Sequence, residues 1–252
     1  MKQFACAAKG RGLGVLLAGI TIASVAAAAE PVASLVTLHY IQRPPYMVES
    51  GAALTGITGQ PAYQAFKKAG IPFEVKQTPF ARQLRMLEMG AGQDCMIGMF
   101  KKPEREVFAK FTKPIYKDQT QVLLVDASNS RRFAAVQTVE DLFNDKGLVF
   151  LAKLGYSYGA AVDALIAKHQ PQVRQTADEN LLMIKAIQKK MGDYMVIAPE
   201  EAAQAVLAAG FTDQDFKQIQ LKNMPPGEHR HIMCSKNVPD EVIKKINAAI
   251  DF

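Results

Sequence analysis

The sequence predicts an α/β fold built from two successive strand–helix series, and three observations carry the prediction. Apolar spacing switches repeatedly between strand and helix periods, glycines close most of the helical stretches, and no low-complexity linker interrupts the chain. At 252 residues there is length for one large or two modest domains with proper cores.

In chain order, residues 1–29 read as a secretory signal peptide. Lys2, Lys9 and Arg11 make a basic start, Leu13–Val25 is apolar, and Ala27–Ala29 offers small residues for cleavage. The apolar run is shorter than the roughly 20 residues a membrane span needs, and it holds Gly14, Gly19, Thr21 and Ser24. Leu35–Tyr40 alternates as a strand and breaks at Arg43-Pro44-Pro45-Tyr46, a stiff loop that presents Tyr46 with little entropy left to lose. A tyrosine there serves equally as an aromatic wall to a ligand or as packing on a rim. A helix from Pro61 to Gly70 and a strand over Phe73–Lys76 follow. Phe80, Leu84 and Leu87 then mark a helix stopped at Gly90 and Gly92, and Cys95–Met99 is an apolar strand. Pro103 suits the first turn of a new helix, so Arg105 sits just past a strand's carboxyl end. Ligands bind there in open α/β sheets, and a guanidinium can fork onto a carboxylate. On spacing alone, a solvated helix charge paired with Glu104 or Glu106 accounts for Arg105 better.

The second series begins after an extended stretch over Gln121–Val125. Thr138 to Asp141 has the form of a capping box, with its helix ending near Gly147 and a buried strand over Leu148–Ala152. In Gly155-Tyr156-Ser157-Tyr158-Gly159, Ser157 is a natural N-cap for a helix over Tyr158–Lys168, and free N–H groups at such a turn are ready to receive an anion. Asp178 is expected to cap a helix with Leu181, Ile184, Ile187 and Met191 inward, ended by Gly192. A strand over Tyr194–Ala198 leads to Pro199-Glu200-Glu201, the first turn of another helix, where acids suit the dipole with or without a ligand. Strands over Lys217–Leu221 and Arg230–Cys234 and a final helix from Pro239 to Ile250 complete the reading.

Discounting residues 1–29 lowers the formal charge from +6 to +3, because three bases and no acids go with them. No dense Lys/Arg block with interleaved aromatics remains, which argues against nucleic acid as a partner. Cys6 falls in the leader. Cys95 and Cys234 stand in apolar strand-like runs, where two buried thiols are the favoured reading and a disulfide between them the alternative in an oxidising compartment. His229 and His231 would share a strand face, but two ligands from one strand do not close a zinc site, and no metal or other cofactor is expected.

Several short patterns recur in one order. They are the Gly90–Asp94 turn, the Cys95–Phe100 strand, Lys102-Pro103-Glu104-Arg105 and Phe111-Thr112-Lys113-Pro114-Ile115-Tyr116, with Arg43–Tyr46, Gly155–Gly159, Gly192-Asp193 and Cys234-Ser235-Lys236 in step. This order resembles the family 3 solute-binding proteins of bacterial ABC transporters, the type II periplasmic binding proteins, over nearly all of the chain after residue 29. The resemblance implies two α/β lobes, each a mostly parallel sheet flanked by helices, with a ligand cleft between them. Residues 30–121 and 222–252 would form lobe 1, and residues 122–221 lobe 2. It also implies a periplasmic monomer, not an enzyme, that captures a small carboxylate-bearing solute, an amino acid or relative, for an ABC permease in the inner membrane.

In that reading Arg105 holds the carboxylate, Tyr156 and Ser157 add contacts from lobe 2, Tyr46 and Phe100 pack the apolar part, and Arg82 lends a weaker contact. Glu200 is the nearest acid for a ligand ammonium, although Ala198 or Pro199 stands where the family carries its aspartate. Gly98 and Phe100 replace the family's polar residues before the arginine. Both departures weaken the case for an ordinary α-amino acid. The same scaffold also suits a ligand-sensing module for a signalling partner, or a dehydratase-like enzyme in which Glu200 and His39 would be acid and base. No nucleophile motif, metal set or close carboxylate pair in the sequence favours the enzyme.

Overall fold

Two five-stranded sheets carry the chain, and the apolar runs that mark the strands end inside them. The computed structural model describes residues 35–252 with isolated positions 1, 5, 7 and 10, so the leader and Cys6 lie outside the described residues. The first part gives β1 (Val36–Tyr40), a hairpin of β2 (Val48–Ser50) and β3 (Ala53–Thr55), α1 (Gly59–Lys68), β4 (Phe73–Gln77), α2 (Phe80–Met89), β5 (Asp94–Phe100), α3 (Pro103–Glu106) and β6 (Ala109–Lys117). The second gives β7 (Val122–Asp126), α4 (Val139–Asn144), β8 (Val149–Lys153), α5 (Ala160–His169), β9 (Gln172–Thr176), α6 (Asn180–Gln188), β10 (Tyr194–Ile197), α7 (Pro199–Ala208) and β11 (Phe216–Ile219). Then come β12 (His229–Ser235) and α8 (Asp240–Ala249).

The strand orders are β4-β1-β5-β12-β6 and β11-β7-β10-β8-β9. In the first sheet β1 runs parallel to β4 and β5, while β12 runs antiparallel to β5 and β6. In the second, β8 is parallel to β9 and β10, and β7 is antiparallel to β10 and β11. The chain therefore leaves the first sheet after β6 and returns to its interior with β12, which inserts beside the fully buried β5. Leu38, Met96, Ile232 and Met233 form the core of the first lobe. Both faces of the second sheet are covered: Leu142, Phe143, Phe150 and Tyr194 pack on one side and Ile184, Ile187 and Met195 on the other.

Three local expectations are corrected. Cys95 and Cys234 are not thiols but a disulfide, because antiparallel β5 and β12 set them directly opposite with Cα atoms 4.0 Å apart. The bridge spans 139 residues of sequence, a closure on the order of 5 kcal/mol by chain entropy. Helix α5 starts at Ala160 with Gly159 as its N-cap, not at Tyr158, since Gly155 (φ 70°) and Gly159 (φ 99°) hold the loop out of helical conformation. The Ser157 hydroxyl instead donates to Asp163 in the first turn, at 2.6 Å. Helix α6 begins after Glu179, not Asp178, and ends at Gln188, so Met191 is exposed and Met183 takes the inward position.

Candidate functional site

The ends of β5, β6 and β12 and the loop after β1 face the loop after β8 and the start of α7. Arg230 on β12 forks onto Asp118 at 2.6 and 2.5 Å, and its third nitrogen donates to the Gly98 carbonyl at 2.7 Å. Both partners are buried. Gly98 sits at φ 75° inside β5, and a Cβ there would meet Thr58 Oγ1 and Arg230 Cδ at 3.5 and 3.8 Å. Positive φ and the arginine stem together explain a glycine where the family pattern has a polar side chain. The Arg230 guanidinium lies 4.5 Å from the Phe100 ring and 4.9 Å from the Tyr46 ring. Arg43 approaches the same Tyr46 ring at 4.7 Å and the Tyr156 ring at 5.6 Å, so guanidiniums and aromatic rings alternate from lobe 1 to lobe 2.

Further bonds tie the lobes together. Arg43 forks onto Glu201 of α7 at 2.7 and 2.6 Å, and Asn180 also donates to that carboxylate at 2.7 Å. Pro199 starts α7, which puts Glu200 and Glu201 in its first turn, where the helix dipole favours anions. Glu200 Oε1 accepts the hydroxyls of Tyr46 at 2.8 Å and Tyr116 at 3.0 Å, while its Oε2 is buried without a partner among the described residues. Lys102 bonds Asp163 at 2.8 Å.

Arg105 differs from the other two arginines. It is buried and donates at 3.2 Å to the carbonyls of Phe100 in lobe 1 and Gly155 in lobe 2, yet among the described residues no acid lies within ion-pair distance of it. Burial draws its pKa below the usual arginine range. Burial acts on Arg230 in the same direction but is outweighed by Tyr156 and Asp118, so the Arg230 pKa is raised. Burial also opposes ionisation of the Tyr156 hydroxyl, yet Arg43 and Arg230 outweigh it and lower that pKa.

Tyr156 borders two small cavities. One, of about 10 Å³, is lined by Phe80, Phe100, Arg105, Ser157 and Arg230. The other, also of about 10 Å³, is lined by Arg43, Gln121, Asn180, Ala198 and Arg230. Each has room for roughly one water, too little for a molecule of amino-acid size.

Of the residues expected here, Tyr46, Phe100, Arg105, Tyr156 and Ser157 come together, and Glu200 joins them through Tyr46. Arg82 does not. It is exposed on α2, whose buried residues are Phe80, Gln83 and Leu87, because Phe80 takes the cleft-facing start of the helix. His39 is buried and bonded to Thr78 at 2.9 Å and Asp94 at 2.8 Å, away from Glu200. Sequence reasoning missed Glu201, Asp118, Arg230 and Phe80. Phe80 alone left a signal, as the first apolar residue of a helix that follows a strand.

A model of the bacterial extracellular solute-binding proteins, family 3, matches residues 36–251. No curated protein matches the chain. Among solved structures, an ancestral arginine-binding protein bound to arginine is 21% identical with a TM-score of 0.66, covering 86% of this chain and 90% of that one. The arginine-, lysine- and histidine-binding protein ArtJ from Geobacillus stearothermophilus is 17% identical with a TM-score of 0.66, covering 86% and 87%. The ancestral amino acid-binding protein AncCDT-1, described as a precursor of cyclohexadienyl dehydratase, is 18% identical with a TM-score of 0.63, covering 86% and 87%. These likenesses show the two-lobed type II fold.

Proposed function

The chain belongs to the bacterial extracellular solute-binding proteins, family 3, and from that premise we propose that it captures a small carboxylate-bearing solute, an amino acid or relative, in the periplasm for an ABC permease, without catalysis. One observation supports this most: Arg105 is the cleft guanidinium with no acid within ion-pair distance among the described residues. A buried cation without an anion is costly, and a ligand carboxylate supplies the missing charge through a fork that backbone carbonyls cannot match. Ser157 and Tyr156 close on the ligand from lobe 2, and Tyr46 and Phe100 flank its apolar part. The unpartnered Oε2 of Glu200 receives its ammonium. In this reading residues 30–121 and 222–252 move against residues 122–221, and residues 1–29 are removed on export.

The test is a thermal-shift screen of the purified protein against amino acids, dicarboxylates, polyamines and small peptides, with arginine and glutamine first because ancestral arginine-binding proteins of the same fold hold them. A ligand at 100 times its dissociation constant adds about 2.7 kcal/mol to the folded state. No shift with any of them removes the support for solute capture.

A further inference from the structure

We propose that Gln121 reads the side chain of the captured solute and selects one that ends in an uncharged hydrogen-bonding group, a carboxamide or a hydroxyl. This selectivity rests on solute capture in the cleft, with Arg105 on the carboxylate. Gln121 stands immediately before β7, where the chain crosses from the first sheet to the second. Its side chain lines the cavity shared with Arg43, Asn180 and Ala198, and the residue is only 6% exposed. Its Oε1 is buried with no hydrogen-bond partner among the described residues. An unpaired buried amide is costly, and most such groups find a partner, so this one points to a group brought in from outside. Tyr156 and Arg230 line this cavity and the Arg105 cavity alike, so the two adjoin. A solute with its carboxylate on Arg105 extends its side chain past Tyr156 toward Gln121.

The lining decides the charge of that side chain. Every cation in it is already answered: Arg43 forks onto Glu201, Arg230 onto Asp118, and Lys153 pairs with Glu179. Asn180 also spends its amide N–H on Glu201. A charged group brought among these pairs gives up its water without gaining a free counter-charge. An apolar group leaves the Gln121 amide as unpaired as before. Whichever way it is turned, an amide offers one donor side and one acceptor side, and a carboxamide or a hydroxyl answers it in kind. Met183, Met195 and Ile197 also line the cavity, so the stem of the side chain lies on apolar surface. If the lobes turn about the crossings, Gln121 moves little and its amide meets the ligand in a fixed place.

Isothermal titration calorimetry on the full protein tests this with two sets of probes. L-glutamine, L-asparagine and L-serine form the first set, and L-glutamate, L-arginine and L-methionine the second. The tightest binder is expected in the first set, at least tenfold ahead of every member of the second. Gln121→Leu removes the amide at similar size, and it should cut the advantage of that binder over methionine at least fivefold. That ratio is the decisive readout, because a merely structural loss weakens both ligands alike. Gln121→Glu keeps the shape and adds a charge, so it should improve arginine relative to glutamine at least fivefold. The proposal is overturned if any member of the second set comes within tenfold of the best binder, or if Gln121→Leu leaves the methionine ratio unchanged. Failure of solute capture shows separately, as no binding by any of the six or as Arg105→Ala leaving the affinity of the best binder unchanged.

Discussion

Arg230 and Arg105 line the same small cavity, and the protein treats them in opposite ways. Arg230 carries its own acid, a backbone carbonyl and two flanking rings, so every face of the guanidinium is answered from within lobe 1. Among the described residues Arg105 is answered by two carbonyls, one from each lobe. The difference separates a charge compensated from within from one that is not. A buried charge with an internal counterion holds a shape, whereas one without it is open to a charge from outside.

The largest break in that comparison comes from Asp118→Ala. It leaves the Arg230 guanidinium buried and uncompensated, a loss of about 3 to 5 kcal/mol. Melting temperature should fall by roughly 6 to 20 °C for a domain of this size. A melt within a degree or two of wild type would mean that Arg230 is not scaffold. Arg105→Ala should act on the ligand instead. Losing a charge-assisted fork of about 1.5 to 3 kcal/mol weakens binding by roughly 10- to 150-fold in calorimetry. Its melt without added ligand should move by less than about 1 kcal/mol, because two lost hydrogen bonds are offset by relief of a desolvated charge. Arg105→Lys should bind between the two, keeping the charge without the fork.

A smaller effect is expected at the lobe-to-lobe pair. Glu201→Gln keeps the shape of the side chain but removes the charge that Arg43 forks onto, a loss of about 1 to 2 kcal/mol. Small-angle scattering should show a larger radius of gyration in the variant if this pair helps hold the lobes together. An unchanged radius would give the closure to Lys102–Asp163 and the Glu200 hydroxyl bonds instead.

What the sequence made legible was local. The apolar run of β5 and Pro103 after it locate Arg105 at a strand end, and the Gly155–Gly159 loop announces a turn with two tyrosines. What it hid was pairing across distance. Arg43 and Glu201 are 158 positions apart and Asp118 and Arg230 are 112, while the cysteine bridge, 139 apart, is legible in the sequence only as an alternative to two thiols. Glu201 in a helix's first turn looks like a dipole partner, and Arg230 looks like one cation among many. Nothing in their spacing shows that β12 returns beside β5 and brings Arg230 onto Gly98. Gly98 itself was legible as a departure, but its cause, a positive φ packed on an arginine stem, belongs to the tertiary structure.

The smallest expected effect sharpens the contrast inside the aromatic–guanidinium cluster. Tyr156 and Tyr46 both lie against Arg43, but their hydroxyls shift oppositely. For Tyr46 burial is the leading cause and raises the pKa. For Tyr156 the Arg43 and Arg230 charges overcome burial and lower it. An unfolded tyrosine ionises near about pH 10. Between the lowered Tyr156 value and that pH, the unfolded chain holds a proton that the folded protein has released. Stability therefore rises with pH across this window, and the gain is lost as pH falls through the folded value. Above about pH 10 the raised Tyr46 value works the other way, since the folded protein then holds a proton the unfolded chain has given up. In a tyrosinate absorbance titration, one hydroxyl of the seven tyrosines should ionise ahead of the rest. Tyr156→Phe should remove that early phase alone, and Arg43→Gln should push it to higher pH. If the early phase survives Tyr156→Phe, the guanidinium field falls on another tyrosine and the arrangement drawn around Tyr156 is wrong.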